Sequence, residues 1–330
     1  MHMSDALVSP AVAGVLYACS AVAVGFSIRK MSSSDMNRRI PLMGVMGAFV
    51  FAAQMINFSI PGTGSSGHLC GGVLLSALLG PYAGFLTMMA ILLIQCLLFA
   101  DGGLMALGCN AWNMGFYSCF VGGFLIWRAF TAKKMDRGRI VAASVIGSVV
   151  SLLLGAFSVT LETLASGITE LPFGVFVRFM VPIHLAIGLV EGLITAAVLI
   201  FVFESRPELL EGGAARTEGG ERLKASTVLV ILAAASLVIG GLLSHLASSS
   251  PDGLEWSVEK VTGLTEMEGG GALAEWAAGV QDKTALLPDY AFKDSERGTS
   301  FSGIVGALAV LILCVAIGLL FRRSGAKQQS

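Results

Sequence analysis

The sequence predicts an all-α integral membrane protein: a seven-helix bundle with a short third helix, plus two C-terminal transmembrane helices flanking a small extracytoplasmic domain. Three observations carry that prediction. Of 330 residues, 55% are hydrophobic and only 13% charged, and the mean hydropathy is +0.80, which leaves too little polar surface for a water-soluble fold. The apolar residues gather into stretches close to the roughly 20 residues that cross about 30 Å of hydrocarbon. Lysine and arginine collect in alternate connections between those stretches, as an oriented membrane protein requires.

In chain order, spans are expected near residues 10–29, 40–58, 69–80, 82–100, 104–128, 140–165 and 174–203, with two more near 226–247 and 301–321. The third, "LCGGVLLSALLG", is too short to cross alone and runs into Pro81. It reads as a short or partly re-entrant helix packed inside the bundle, where irregular backbone is tolerated. Arg29, Lys30, Arg38 and Arg39 follow the first span, and Arg128, Lys133, Lys134, Arg137 and Arg139 precede the sixth. Arg206, Arg216, Arg222 and Lys224 lie in residues 204–225, and Arg322, Arg323 and Lys327 in the tail. Alternate threading of nine spans places these 16 of the 21 basic residues in the cytoplasm, with the N-terminus outside and the C-terminus inside. The first residues show no basic n-region and no small-residue cleavage site, so a removable signal peptide is not expected. Met1 is expected to be retained, because methionine removal needs a small second residue and His2 is bulky.

Residues 204–224, "ESRPELLEGGAARTEGGERLK", combine Pro, six Gly or Ala residues and mixed charge, which suits a flexible linker. The chain therefore divides into 1–203, a membrane bundle; 204–225, a cytoplasmic linker; 226–321, two helices around an outer segment; and 322–330, a cytoplasmic tail. The outer segment 248–300 has ten acidic and four basic residues. In "SSSPDGLEWSVEK", Ser250 or Asp252 can cap a short amphipathic helix.

Several functions are excluded. A net charge of -1 offers no basic face for nucleic acid. Cys19, Cys70, Cys96, Cys109, Cys119 and Cys314 stand singly in apolar runs and read as small buried hydrophobes rather than disulfides or zinc ligands. The chain has no "GK" dipeptide, hence no Walker A phosphate loop, and no nucleophile and base at motif spacing, so it is not read as an enzyme.

Four stretches carry polar groups into this apolar frame. "PGTGSSGHLCGG" (61–72) has five glycines that permit tight turns, and ends at His68, which alone would read as a cap of the short helix. "FADGGLMALGCNAWNMG" (99–115) brings Asp101 and, on one helical face, Asn110 and Asn113. "PIHLAIGLVEGLIT" (182–195) places His184 and Glu191 on one face, an expected intramembrane polar pair. On the first helix, Gly14, Ala18, Ala21 and Gly25 follow i, i+4, i+7, i+11 spacing, a small-residue stripe for close approach of a coupling subunit or of a helix in the same bundle.

Taken with the opening "MH", the motifs "GSSGHLCGG", "FADGGLMALGCNAWNMG" and "HLAIGLVEGLIT" resemble the CbiM/NikM family, the substrate-binding (S) components of nickel and cobalt energy-coupling-factor (ECF) transporters, over about residues 1–203. "SPDGLE" and "PDYAF" resemble the small NikN- or CbiN-type partner, here fused as in NikMN-type chains. The resemblance implies a seven-helix S-component bundle whose ion is held by the free N-terminal amine, the amide and imidazole of a second-position histidine, and a further histidine. Those positions match Met1, His2 and His68. It also implies a transmembrane coupling (T) subunit of CbiQ/NikQ type and ATPase subunits of CbiO/NikO type, in a prokaryotic cytoplasmic (inner) membrane. Ni2+ or Co2+ is then the transported ligand, and no prosthetic group is expected.

Coordination chemistry agrees with that set. An unblocked amine followed by a histidine closes five- and six-membered chelate rings through amine, deprotonated amide and imidazole, leaving one in-plane position for His68. Four nitrogens in a plane suit nickel(II) or copper(II). Asp101, Asn110 and Asn113 are candidates, by position, for orienting the imidazoles from outside. The expected function is capture of Ni2+ for an ATP-driven importer. The alternatives are the same role for Co2+, or an ion-coupled secondary transporter built on His184 and Glu191, which lacks the internal repeat such transporters carry.

Overall fold

The computed structural model describes residues 1–31, 33–213, 223–267, 269–292 and 298–327, and within these the side chains of all but 33–38 and 320–327. Arg216 and Arg222, and the side chains of Arg38, Arg322, Arg323 and Lys327, which entered the expected orientation, lie outside the described residues.

Helix α1, Pro10–Lys30, starts where Ser9 accepts the Val12 N–H at 3.5 Å, with proline at a position whose N–H would be unused in any case. Next come α2, Ser33–Gln54, and a small antiparallel hairpin, β1 Phe58–Ile60 with β2 Ser65–Gly67, in which Ser59 faces Ser66. Three-residue strands without apolar alternation leave no readable signal, and the sequence had suggested only a loop here. Helix α3, Gly72–Phe99, is followed by α4, residues 107–131, whose middle Ala111–Ile126 is wound as a π-helix, a form usually confined to single turns. The remaining helices are α5, Arg137–Ala165; α6, Phe173–Ser205; α7, Ala225–Gly241; α8, Gly253–Thr262; α9, Ala272–Thr284; and α10, Gly298–Lys327.

Among the described residues five helices are long and apolar enough to cross a membrane, namely α1, α3, α5, α6 and Gly298–Leu319 of α10, with shorter apolar helices at Arg39–Gln54 and Ala225–Gly241. The protein is a multi-pass membrane protein. The expected third and fourth spans are the two halves of α3, broken at Gly80 (φ 75, ψ 163) ahead of Pro81. Only glycine enters that backbone region without strain. The carbonyls released by the break find donors: the Glu211 N–H reaches Ala77 at 2.7 Å, and the Arg39 guanidinium reaches Leu79. The Glu211 carboxylate in turn holds Arg39 at 3.5 Å and Arg128 at 3.0 Å. The irregular backbone at this break is kept because the bundle supplies these partners.

Helix α5 lies along α6, α4 packs between α3 and α5, and the C-terminal helices α7 and α10 pack on α2. The segment between α7 and α10 is docked onto the loops of the N-terminal domain. The Trp256 indole of α8 donates to the Thr63 carbonyl at 3.0 Å. Gln281 of α9 donates to the Cys96 and Gly102 carbonyls, both at 3.0 Å, and accepts the Leu104 N–H at 3.2 Å. Tyr290 stacks on Phe99 with ring centroids 4.6 Å apart and donates its hydroxyl to Asp101.

Candidate metal centre

A terminal segment is usually loose, yet Met1 and Met3 are only 5% and 0% exposed. Asn110 is the reason. Its side-chain oxygen accepts the Met3 N–H at 2.7 Å and its amide donates to the Met3 carbonyl at 3.1 Å, while the Gly103 N–H donates to the same carbonyl at 2.9 Å. Asp5 accepts the Ala106 N–H at 2.9 Å. These bonds thread the first residues between α3 and α4, and the amine ends 3.3 Å from His68 Nε2. The amine also donates to Asp252 Oδ2, which stands 3.8 Å from His68 Nε2. The His2 and His68 rings stack, centroids 5.4 Å apart and planes inclined by 20°.

The hydrogen bonds fix which ring nitrogen is available on each imidazole. His68 Nδ1 donates to the Leu69 carbonyl at 3.1 Å, so its Nε2 turns a lone pair toward the amine. For His2 the decision comes from a chain of two buried amides. The Cys70 carbonyl can only accept, so it takes the Gln54 amide N–H at 2.8 Å; Gln54 Oε1 takes the Gln95 amide N–H at 2.8 Å; Gln95 Oε1 therefore faces His2 Nε2 at 3.2 Å. Nε2 donates to Gln95, and Nδ1, 3.1 Å from Asp101 Oδ1, is the nitrogen that an ion would take over from its contact with Asp101. Burial pushes His68 down to about 4, assisted by the Met1 ammonium and His2. Burial lowers His2 as well, against the opposing attraction of Asp101. His68 is thus neutral at pH 7, as coordination requires. Burial alone would raise Asp252, but the Met1 ammonium and the capping Glu255 N–H hold it well below the usual carboxylate range.

A cleft of about 710 Å³ opens onto this cluster, with His2 and His68 in its lining. Seven carboxylates line it too, five of them (Asp252, Glu255, Glu266, Glu275 and Asp289) from the C-terminal segment, and its described lining holds no Lys or Arg. Among the described residues no three His, Cys, Asp or Glu side chains form a ready metal cage; any ion held here needs the backbone nitrogens of the terminus.

Residues 2–209 match the CbiM family, described as the cobalt uptake substrate-specific transmembrane region, and residues 226–323 match the PDGLE domain. The chain belongs to the CbiM family. Across 327 residues this CbiM-family chain is 34% identical to an Archaeoglobus fulgidus chain named for fused nickel transport (NikMN), covering 96% of the one and 98% of the other. The fused nickel transport protein NikMN of Rhodobacter capsulatus is 29% identical, over 98% of this chain and 100% of its own length. The cobalt transport protein CbiM of Geobacter sulfurreducens is 29% identical, over 79% and 77%. A crystal structure of a truncated transition metal transporter superposes with a TM-score of 0.54 at 30% identity, covering 62% of this chain and 99% of its own.

Of the residues singled out by sequence, Met1, His2 and His68 come together, and Asp101 reaches His2. Asn110 orients the terminus rather than an imidazole. Asn113 donates to Glu162 at 2.9 Å and lies 3.6 Å from Met3 Sδ; it touches neither histidine in any described contact. His184 and Glu191 do not form the expected pair, since seven residues of helix span about 10 Å. His184 Nδ1 donates to the Met180 carbonyl at 2.7 Å, and its Nε2 has no hydrogen-bond partner among the described residues. Glu191 accepts the backbone N–H groups of Cys70 and Gly71 at 2.8 and 3.2 Å. Gly14, Ala18 and Ala21 are exposed and Gly25 half-buried, whereas Ala13, Ser20, Ala23 and Ser27 form the inward face of α1. The stripe is thus not used for packing within the described bundle. Sequence reasoning missed Gln54 and Gln95, whose signal was an amide inside an apolar run, and took Asp252 for a helix cap only.

Proposed function

We propose that this CbiM-family chain is the substrate-capturing membrane component of an ATP-driven, ECF-type importer that binds Ni2+ at an extracytoplasmic N-terminus. The observation that carries the reading is the 3.3 Å approach of the Met1 amine to His68 Nε2. Neighbouring donors on a planar ion, each about 2.0 Å from it, stand about 2.8 Å apart, so a small inward shift brings these two nitrogens to bonding distance. The Gln95 contact supports the rest of the set, because Nδ1 of His2 is the nitrogen that closes a six-membered ring with its own amide. Co2+ is the alternative cargo for the same donors, with nickel favoured by planar geometry, by the Irving–Williams order and by relatives named for nickel transport.

In this reading residues 1–203 are the ion-binding bundle, 204–225 a cytoplasmic linker, 226–321 the NikN/CbiN-like region and 322–330 a cytoplasmic tail. A coupling subunit of CbiQ/NikQ type docks against the outward stripe of α1, and ATPases of CbiO/NikO type supply the energy. Untagged protein is expected to co-purify with nickel, measured by elemental analysis. Cells lacking every coupling-factor ATPase are expected to lose concentrative nickel uptake through it. Uptake that persists in such cells and collapses with the proton gradient overturns the ATP-driven reading in favour of secondary transport. Gln95→Leu, which leaves the His2 Nε2–H without its acceptor, is expected to weaken nickel binding about 10- to 100-fold in a competition titration with a chelating indicator.

A further inference from the structure

We infer that Asp252, the aspartate of the PDGLE segment, is a residue of the ion site itself: it is the counter-charge that the C-terminal module holds against the chelating amine. The inference rests on the reading of Met1, His2 and His68 as the donor set.

The two carboxylate oxygens of Asp252 have separate tasks. Oδ1 caps α8, accepting the Leu254 and Glu255 N–H groups at 2.8 and 2.9 Å, while the Asp252 N–H donates to Glu255 Oε2 at 2.9 Å. A helix cap needs one such acceptor, which a serine or asparagine supplies equally well. Oδ2 is not needed by the helix and is turned to the Met1 amine. The contact joins residues 251 positions apart in the chain, with side chains only 4% and 14% exposed, where solvent and salt screen charge weakly.

The segment is seated firmly enough to keep Oδ2 there. The Ser66 N–H donates to the Pro251 carbonyl at 2.8 Å and its hydroxyl to the Ser250 carbonyl at 2.7 Å; the Ser248 N–H donates to the Asn57 carbonyl at 2.7 Å. The next residue is Gly253, where a Cβ would meet Ile187 Cδ1 at 2.8 Å and His184 Cε1 at 3.1 Å. Glycine is what lets the backbone come this deep, two residues along the hairpin from His68.

The charge count explains why an acid belongs at this spot. The metal-free amine carries one positive charge. A dication bound by the amine, a deprotonated amide and two neutral imidazoles also carries one net positive charge, because the ion displaces two protons, one from the ammonium and one from the His2 amide, which leave to water through the cleft. No electron is transferred. Asp252 stands against the amine and His68 rather than against the His2 amide, so the two charges of the ion act on it at closer range than the compensating charge of the amide, and it holds the loaded state more strongly than the empty one. Asp101 stands beside His2, so among the described residues the carboxylate at the amine comes from the C-terminal module alone.

The test uses the full-length untagged protein. Asp252→Asn keeps a good helix cap and removes the charge. It is expected to weaken nickel binding tenfold or more in a competition titration, with the thermal unfolding midpoint and the visible absorption of the planar nickel chelate unchanged. Trp256→Phe removes the indole bond to the Thr63 carbonyl that helps seat the segment and leaves Asp252 at the amine, so it is expected to bind within twofold of the parent. Parental affinity in Asp252→Asn, or equal losses in the two variants, overturns the inference. An N-terminally tagged chain separates it from the underlying reading: tagged protein that still binds nickel removes the donor set, whereas loss on tagging together with parental affinity in Asp252→Asn removes Asp252 alone.

Discussion

Fusing an affinity tag ahead of Met1 is expected to abolish high-affinity nickel binding and to leave the bundle folded, because a tag converts the proposed donor amine into an amide without altering any side chain. The amine lies 3.3 Å from His68 Nε2 in a buried position; an amide there has its lone pair delocalised into the carbonyl and must lose a proton before it can bind the ion. The bundle tolerates the change, since α1 begins only at Pro10 and the anchoring bonds to Asn110 are made by Met3. A single alanine inserted between Met1 and His2 is a weaker experiment. A histidine in third place gives an amine, two amides and an imidazole in one plane, a complete four-nitrogen set that no longer needs His68. Removal of the tag by a protease that regenerates Met1 is expected to restore binding, measured by the same indicator competition. His68→Ala, which leaves a three-donor chelate, is expected to cost tenfold or more, about 1.4 kcal/mol per decade. Tagged protein with parental affinity would place the ion elsewhere.

The helices were legible because length and apolarity are written locally. The expected spans at 10–29, 140–165 and 174–203 correspond to Pro10–Lys30, Arg137–Ala165 and Phe173–Ser205, and the break at Gly80 was announced by Pro81. The three proposed donors were legible only as a joint pattern, since nothing local distinguishes His68 from a helix cap. What stayed hidden are contacts between distant parts of the chain. Gln95 is visible as a polar residue in an apolar helix, but its acceptor role toward His2 depends on Gln54 and on the Cys70 carbonyl, three elements that only the fold brings together. Asp252 had a sufficient local explanation as a cap, and that explanation concealed its second oxygen. His184 and Glu191 failed in the opposite way: helical periodicity puts them on one face, but two turns separate them, and each is engaged by its own neighbourhood.

Glu191→Leu is expected to lower both stability and nickel affinity, and the reason lies at the start of α3. That helix begins inside the bundle at Gly72, after Gly71 in the left-handed conformation (φ 81), and no capping side chain of its own segment satisfies its first N–H groups. Unsatisfied amides at a helix start attract an anion. Glu191, reaching across from α6, fills the role by accepting the N–H groups of Cys70 and Gly71. Leucine leaves two buried donors unpaired, at about 1–3 kcal/mol each, and releases the turn that follows His68. Unfolding in detergent is expected to shift to markedly lower temperature, and nickel affinity to fall because His68 loses its fixed position. Glu191→Gln keeps one acceptor oxygen and the shape of the side chain, so its losses are expected to be smaller in both measurements. The pair of variants also weighs the two transport readings. A structural role ranks Leu well below Gln in stability, binding and uptake alike. If Gln instead binds nickel and unfolds like the parent yet carries no uptake, the carboxylate acts through its ionisation, and the secondary-transport alternative gains the group it needs.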